Sequence, residues 1–524
     1  MNKFFFAILA LVAVSCSSMK NQNKHLNDDI SVTKLKADVD FIQTKFVEMH
    51  PDLYWYISKK DLDFKFDSIK TTLVKPISSY EFYEKITPVI VSIRQGHMTV
   101  QPQVKLFTKK EGLLLAKKGV GPLSQFEFEC FNDKLIVTKN KSYNKSIVIG
   151  TEIKAINGEN VTSILNRYKK LFTSDGFNTT FKTNRVGRNF GLFYTYEHGI
   201  KDSLKYDFVK NDSLKSVTIL RKVVDTTGKN SKKKILRLSH IEKRKKKVLA
   251  KLLEKRKNIY GYNSALKIYN RNLKFIDKDS AVAVIKLNGF QIGDYETFYK
   301  ESFEKIKKYN TKTLVIDLRN NGGGRLSEIA ELYSYLATSS FTFSGKTIVT
   351  SKTSLFQADY FKGVSLPNKL IRLVGFPFYA GFIYFSIHQS ADGTFYYASP
   401  DDKVQKVKPN AFGGKIYVLI NGGSFSASCI LSSNLKGSSR ATFVGEETGG
   451  AYNGCVAGRM PQVKLPNSKI KVRVGLMKIV PYFTTKNEGR GIFPDKEIIP
   501  SLQDRISGNN PEMNWILQDC KSVK

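Results

Sequence analysis

Two short strand-like runs, LVIDL at 314–318 and IYVLI at 416–420, each break into a glycine-rich turn and then into a segment of helical period. A strand followed by a helix, rather than by a two-residue hairpin, reaches its next partner by a crossover, which sets the two strands parallel. VAVIKL at 282–287 precedes an amphipathic stretch at 295–309, and ATFV at 441–444 continues the series. Residues 278–505 are therefore expected to form an α/β domain with a largely parallel core.

The remainder of the chain follows other periods. Val32, Leu35, Val39, Ile42 and Phe46 recur at helical spacing, and residues 80–93 repeat the pattern, so 31–108 reads as a helical domain. Short β-like runs such as FEF at 126–128 and KLIV at 134–137 mark 109–225 as β-rich. Within it, IGTEIKAINGENV at 149–161 resembles the carboxyl-group-binding PDZ module, whose groove takes an extended peptide by strand addition. A generic hairpin about Asn157-Gly158 is the plainer alternative. Residues 506–524 read as a C-terminal tail.

Between these parts lies a basic helical linker, 226–277. Its stretch 229–257 carries 14 Lys or Arg against only Glu242 and Glu254, with Val248, Leu249, Leu252 and Leu253 at helical spacing beside them. A solvated helix joining two domains is the favoured reading. Contact with anionic lipid or acidic surface polymers is the next.

A net charge of +38 calls for a partner or a location, and the first residues suggest the location. Met1-Asn2-Lys3 gives a positive start, and 4–14 is an unbroken apolar run. That run is shorter than the roughly 20 residues a bilayer span needs, and it fits a signal-peptide core. The following Ala13-Val14-Ser15-Cys16 resembles the lipobox of bacterial lipoproteins. The resemblance implies a signal peptide at 1–16, acylation of Cys16 and a tether at 17–30. The expected location is a bacterial cell envelope, lipid-anchored and periplasmic or surface-exposed, where nucleic acid is not an expected partner. Neither the five cysteines nor the six histidines form a C-x-x-C or H-E-x-x-H pair, so nothing points to a metal, and no cofactor is expected.

The chemistry concentrates at the glycine turns. Residues 421–433, NGGSFSASCILSS, place Ser426 at or just before the first turn of a helix, where free backbone N–H groups face whatever binds. That is the setting of a nucleophile elbow, although the G-x-S-x-G form is absent. Ser424 or Ser426 acting as a plain N-cap is the competing role. Gly322-Gly323-Gly324 lets a backbone approach a substrate closely. Without G-x-x-x-x-G-K-[ST], an oxyanion site fits better than a phosphate loop.

Taken together, LVIDLRNNGGG at 314–324, SFSAS at 424–428, FVGEETGG at 443–450 and GRGIFPD at 489–495 resemble, in order and approximate spacing, the C-terminal processing peptidases. That superfamily includes the tail-specific proteases and the tricorn core protease. The resemblance implies a multidomain α/β protein: an N-terminal helical region, a PDZ-like β-rich domain and a catalytic α/β domain of the tail-specific protease (ClpP/crotonase-like) type. It makes Ser426 the nucleophile, with the amide of Ala427 and one from Gly323 or Gly324 as oxyanion donors. Where the Ser–Lys members carry their lysine, this chain has Ala451, so a Ser–Lys dyad is rejected. The tricorn-like branch instead implies His97, in Gly96-His97-Met98-Thr99, as base and Glu488 as the orienting acid, with Asp495 in reserve. The function implied is a serine endopeptidase or carboxy-terminal processing peptidase that acts on a peptide or protein through an acyl-enzyme. The alternative is an inactive member that binds a peptide or small ligand.

Overall fold

The computed structural model describes residues 19–210, 213–223, 240–276, 280–358, 360 and 366–522. The expected signal peptide and Cys16 lie outside these residues. Helices α1 (Val32–Met49) and α3 (Ser79–Val91) form where the periodicity predicts them, and α2 (Lys59–Thr72) lies between them. Leu35, Val39, Ile42 and Phe46 make the buried stripe of α1. Ser78 and Glu81 close a reciprocal capping box on α3, satisfying two amide donors that its first turn leaves free.

This helical region does not stand alone. The buried Asp38 carboxylate accepts the Asn467 and Ser468 backbone N–H groups at 3.0 and 2.7 Å. Strand β1 (Val100–Gln101) pairs with Lys471–Arg473, close to the far end of the chain. One continuous apolar core joins these helices to the β-rich segment and to Leu465, Ile470, Val472 and Val474.

The β-rich segment is an antiparallel sheet of β2 (Phe126–Phe131), β3 (Lys134–Asn140), β4 (Glu152–Ile156), β5 (Ser203–Lys210) and β6 (Ser213–Leu220), in that spatial order. The Asn157-Gly158 turn uses positive φ at both positions, 51° and 85°. It leads to α4 (Val161–Lys170), capped by the Asn160 side chain. Helices α5 (Thr180–Arg188) and α6 (Phe190–His198) follow. A side chain at Gly187 would meet the Cys130 backbone at 2.1 Å, so α5 lies directly on β2.

The basic segment contributes α7 (His240–Ile259), and the sheet of the α/β domain begins at Arg271, inside the stretch 226–277 expected to be a helical linker. Its sheet runs β7 (Arg271–Phe275), β8 (Val282–Leu287), β9 (Thr313–Asp317), β10 (Lys415–Ile420), β11 (Thr442–Gly445), β12 (Lys496–Glu497). Only the β7–β8 pair is antiparallel. The period of two divides the core: Leu314 and Ile316 face one layer, and Val315 faces the other. Helices α8 (Tyr295–Lys308), α9 (Leu326–Ser334) and α11 (Ala427–Gly437) supply the first layer. Between α9 and α11 the chain forms α10 (Leu366–Phe385). The second layer comes from an unexpected source. The presumed tail folds into α12 (Pro511–Ser522), whose Met513 and Ile516 pack on Val315, Tyr417 and Leu419. Trp515, Leu517 and Cys520 pack beside them, and Met513, Ile516 and Cys520 recur at helical spacing, so the segment is a short amphipathic helix rather than a tail.

Candidate active site

At the end of β10 the chain turns through Gly422 and Gly423 and enters α11 at Ala427. Side chains have no room in this turn, because a Cβ on Gly422 would meet the Thr180 carbonyl oxygen at 2.5 Å. Ser424 and Ser428 stitch the turn to the triple-glycine loop. Their hydroxyls donate to the Leu318 and Asn321 carbonyls at 2.8 and 2.9 Å. Ser426 does neither this nor capping. Its backbone sits at φ 60°, ψ −122°, a conformation costly for any residue with a Cβ, and its hydroxyl makes no cap bond. Instead Ser426 Oγ lies 3.0 Å from His97 Nε2.

His97 is positioned from four sides. Arg473 Nε donates to its carbonyl at 2.9 Å, and the Phe425 ring lies 4.8 Å from the imidazole. The preceding Gly96 N–H donates to Asp175 Oδ1 at 2.7 Å, and the Gly96 carbonyl accepts from Thr173 Oγ1 at 3.3 Å. A Cβ at Gly96 would lie 2.7 Å from Phe425, so glycine alone lets these two rings approach. Burial, with a smaller contribution from the Arg473 charge, lowers the His97 pKa from 6.5 to about 3. The imidazole is neutral at neutral pH, and as the Nδ1–H tautomer it accepts the Ser426 proton at Nε2. The nearby thiols offer no competing base, since burial pushes Cys429 up to about 12 and Cys455 well above its ordinary value.

These shifts set a pH dependence. His50 is likewise lowered to about 3 by burial. Both imidazoles stay neutral in the folded chain while the unfolded chain binds protons below about 6.5, so unfolding takes up protons on the acid side. Their contribution is whole above pH 6.5 and is lost as pH falls toward 3. Asp175, raised to about 7 by burial, acts in the opposite sense: its contribution is whole below its ordinary value of 3.8 and is lost as pH rises through 7. Thermal melts from pH 7 to 4 should therefore fall less steeply for His97→Gln than for wild type. The acid limb of peptide hydrolysis should lie well below pH 6.5.

The oxyanion expectation divides between its two candidates. Gly323 N–H is already committed to Asn321 Oδ1 at 2.9 Å, so this amide is not the free donor expected. Gly324 N–H and Ala427 N–H have no partner among the described residues. The loop holding Gly323 and Gly324 lies against the bend, since a Cβ on Gly323 would meet Ser426 Cβ at 2.7 Å and Ala427 N at 2.9 Å.

Glu488 departs from expectation. It is exposed and accepts the Trp55 indole N–H at 3.2 Å, whereas His97 Nδ1 is buried and bonded to nothing among the described residues. The reason lies in its turn: Phe177 N–H donates to the Gly489 carbonyl at 2.8 Å, and Arg490 forms a two-pronged pair with Glu447 at 3.0 and 2.7 Å. Asp495, the reserve acid, pairs with Lys436 and accepts Phe443 N–H at 2.8 Å, bracing β11. Ala451 is buried where a lysine dyad would need its amine.

Sequence reasoning missed Asp175, Arg473 and Arg185. Asp175 Oδ2 is buried without a partner in the segment that clamps Gly96. Arg185 lies over the Phe181 ring, and Phe181 in turn stacks on Phe425 at 4.2 Å. None of the three stands in a motif, and Asp175 and Arg473 are defined by contacts with distant parts of the chain.

A hydroxyl on a strained strand-to-helix bend, hydrogen-bonded to a neutral buried imidazole and flanked by free amides, belongs to the serine-type peptidases. Residues 281–498, the α/β domain, match the model of peptidase family S41. Among solved structures it is similar to mature CPAF, at 14% identity and a TM-score of 0.56 over 91% of this chain and 95% of that one. It is also similar to mature CPAF complexed with lactacystin, at 15% identity and a TM-score of 0.59 over 94% and 98%. These likenesses are of fold. No curated protein matches the chain.

Proposed function

We propose that the chain is an envelope-anchored serine endopeptidase of the carboxy-terminal processing kind, on the tricorn-like branch, held to a membrane by a lipid on Cys16. The observation that carries the chemistry is the 3.0 Å contact between Ser426 Oγ and His97 Nε2. His97 takes the Ser426 proton as Oγ attacks the substrate carbonyl, and the amides of Ala427 and Gly324 hold the resulting oxyanion. The carbon–nitrogen bond then breaks, His97 returns the proton to the leaving amine, and water hydrolyses the ester by the same route in reverse roles.

Substrate would be gathered by the PDZ-like sheet. Strand β2 is an edge strand, and a cleft of about 520 Å³ runs between it and α6, lined by Phe126, Phe128, Gly191 and Leu192. An edge strand beside a cleft that mixes these apolar side chains with Glu127, Glu129 and Arg188 suits an extended peptide added as a further strand.

Two carboxylates, Glu488 and Asp175, are candidates for the triad acid. Glu488 would have to exchange Trp55 for the unpartnered Nδ1, whereas Asp175 is buried and already holds the neighbouring Gly96 amide. Wild type should react with a fluorophosphonate probe at Ser426, and Ser426→Ala should not. Absence of labelling on the wild type would sink the reading. Labelling rates of Glu488→Gln and Asp175→Asn then identify the acid, whose loss should slow the reaction roughly 10²-fold or more.

A further inference from the structure

Helix α7 is unlike every other helix that surrounds the catalytic domain: each residue from Arg244 to Asn258 is exposed. It carries nine Lys or Arg against Glu242 and Glu254. None of the basic side chains from Arg244 to Lys255 makes an ion pair among the described residues. On one side Val248, Leu249, Leu252 and Leu253 project at spacings of three and four, each more than half exposed. Helical geometry sets Lys251 and Lys255 along one edge of this stripe and Lys246 along the other.

A solvated linker has no need of four leucine-sized side chains in water, and burying them elsewhere in the fold would strand the lysines that flank them. The two features are satisfied together only by an occupant with an apolar interior and a negatively charged face. We infer that α7 is a docking surface for an anionic phospholipid bilayer, lying in its interface with the stripe below the headgroups and the lysines against them. A helix of 20 residues extends about 30 Å, long enough to lie along such a surface. No helix among the described residues is long and apolar enough to cross a membrane, so α7 would lie on the bilayer rather than span it. This inference needs neither the lipid on Cys16 nor the catalytic reading.

The test uses the full chain with Leu252→Trp, reading fluorescence above the background of Trp55 and Trp515. Vesicles of phosphatidylcholine mixed with phosphatidylglycerol should shift the emission to the blue, pure phosphatidylcholine should not, and high salt should reverse the shift. Replacing Lys246, Lys247, Lys251 and Lys255 with Gln in that background should weaken the response roughly tenfold or more. Because all these positions are exposed, the fold and peptide hydrolysis should be unchanged. No shift with anionic vesicles, or an equal shift with neutral ones, would overturn the inference. So would vesicle binding that is lost on Phe378→Glu in the apolar helix α10 but survives every change in α7. A stripe-independent preference for duplex DNA would overturn it in favour of a nucleic-acid surface.

Discussion

Ser426→Ala should lower peptide hydrolysis by a factor on the order of 10⁴–10⁶ with the fold intact, and His97→Ala should do nearly the same. The pair works as one unit, because the hydroxyl is a useful nucleophile only while Nε2 can take its proton. The double variant should therefore be no worse than either single one, which single-turnover kinetics on a labelled peptide would show. Thermal melts add a second reading of the same residue. With φ at 60°, any Cβ at position 426 is strained, so Ser426→Gly should be more stable than Ser426→Ala by about 1 kcal/mol while being equally inactive. An inactive variant with a disrupted fold, or equal stability for Gly and Ala, would count against the strained-bend account.

Arg271→Met should destabilise the chain by about 3–5 kcal/mol, the largest effect expected away from the site. Arg271 and Glu328 are both wholly buried, with Nη1 to Oε1 at 2.7 Å. The guanidinium also donates to the Ile259 and Ile292 carbonyls at 3.3 and 2.5 Å, closing the end of α7 onto β7 and the approach to α8. Removing the arginine leaves a buried carboxyl, already raised by burial, with Arg325 at 3.1 Å and the Tyr299 hydroxyl at 3.4 Å. Glu328→Leu in the Arg271→Met background should recover much of the loss, because no buried charge is then left unpaired. Urea unfolding of the two single variants and the double variant would measure this coupling.

What the sequence made legible was local. The runs at 314–318 and 416–420 announce strand, glycine turn and helix within a dozen residues each, and both occur as read. Ser424 and Ser428 instead bond across 106 and 107 residues to the triple-glycine loop, which no local pattern announces. The His97–Ser426 contact spans 329 residues and was reached only through resemblance, because no period or spacing connects them. Glu488 was reached in the same way, and resemblance could not foresee that Trp55 would hold it. Asp175 and Arg473 left no mark at all, because a carboxylate that grips one amide and a guanidinium that grips one carbonyl need no neighbours in sequence. The Asn321 side chain that occupies Gly323 N–H is a choice made two residues away, visible only once the loop has coordinates.

The clamp on His97 also sets a clock. Arg473 follows His97 by 376 residues, so at ribosomal speeds of about 5–20 residues per second the base waits roughly 20–75 s for the group that fixes its carbonyl. Through that interval the growing polypeptide has a histidine and, late on, a serine, but no assembled pair. Truncated products that end before Arg473 never acquire one. On the proposed reading, the order in which its parts appear therefore holds the Ser426–His97 pair unassembled until late in synthesis.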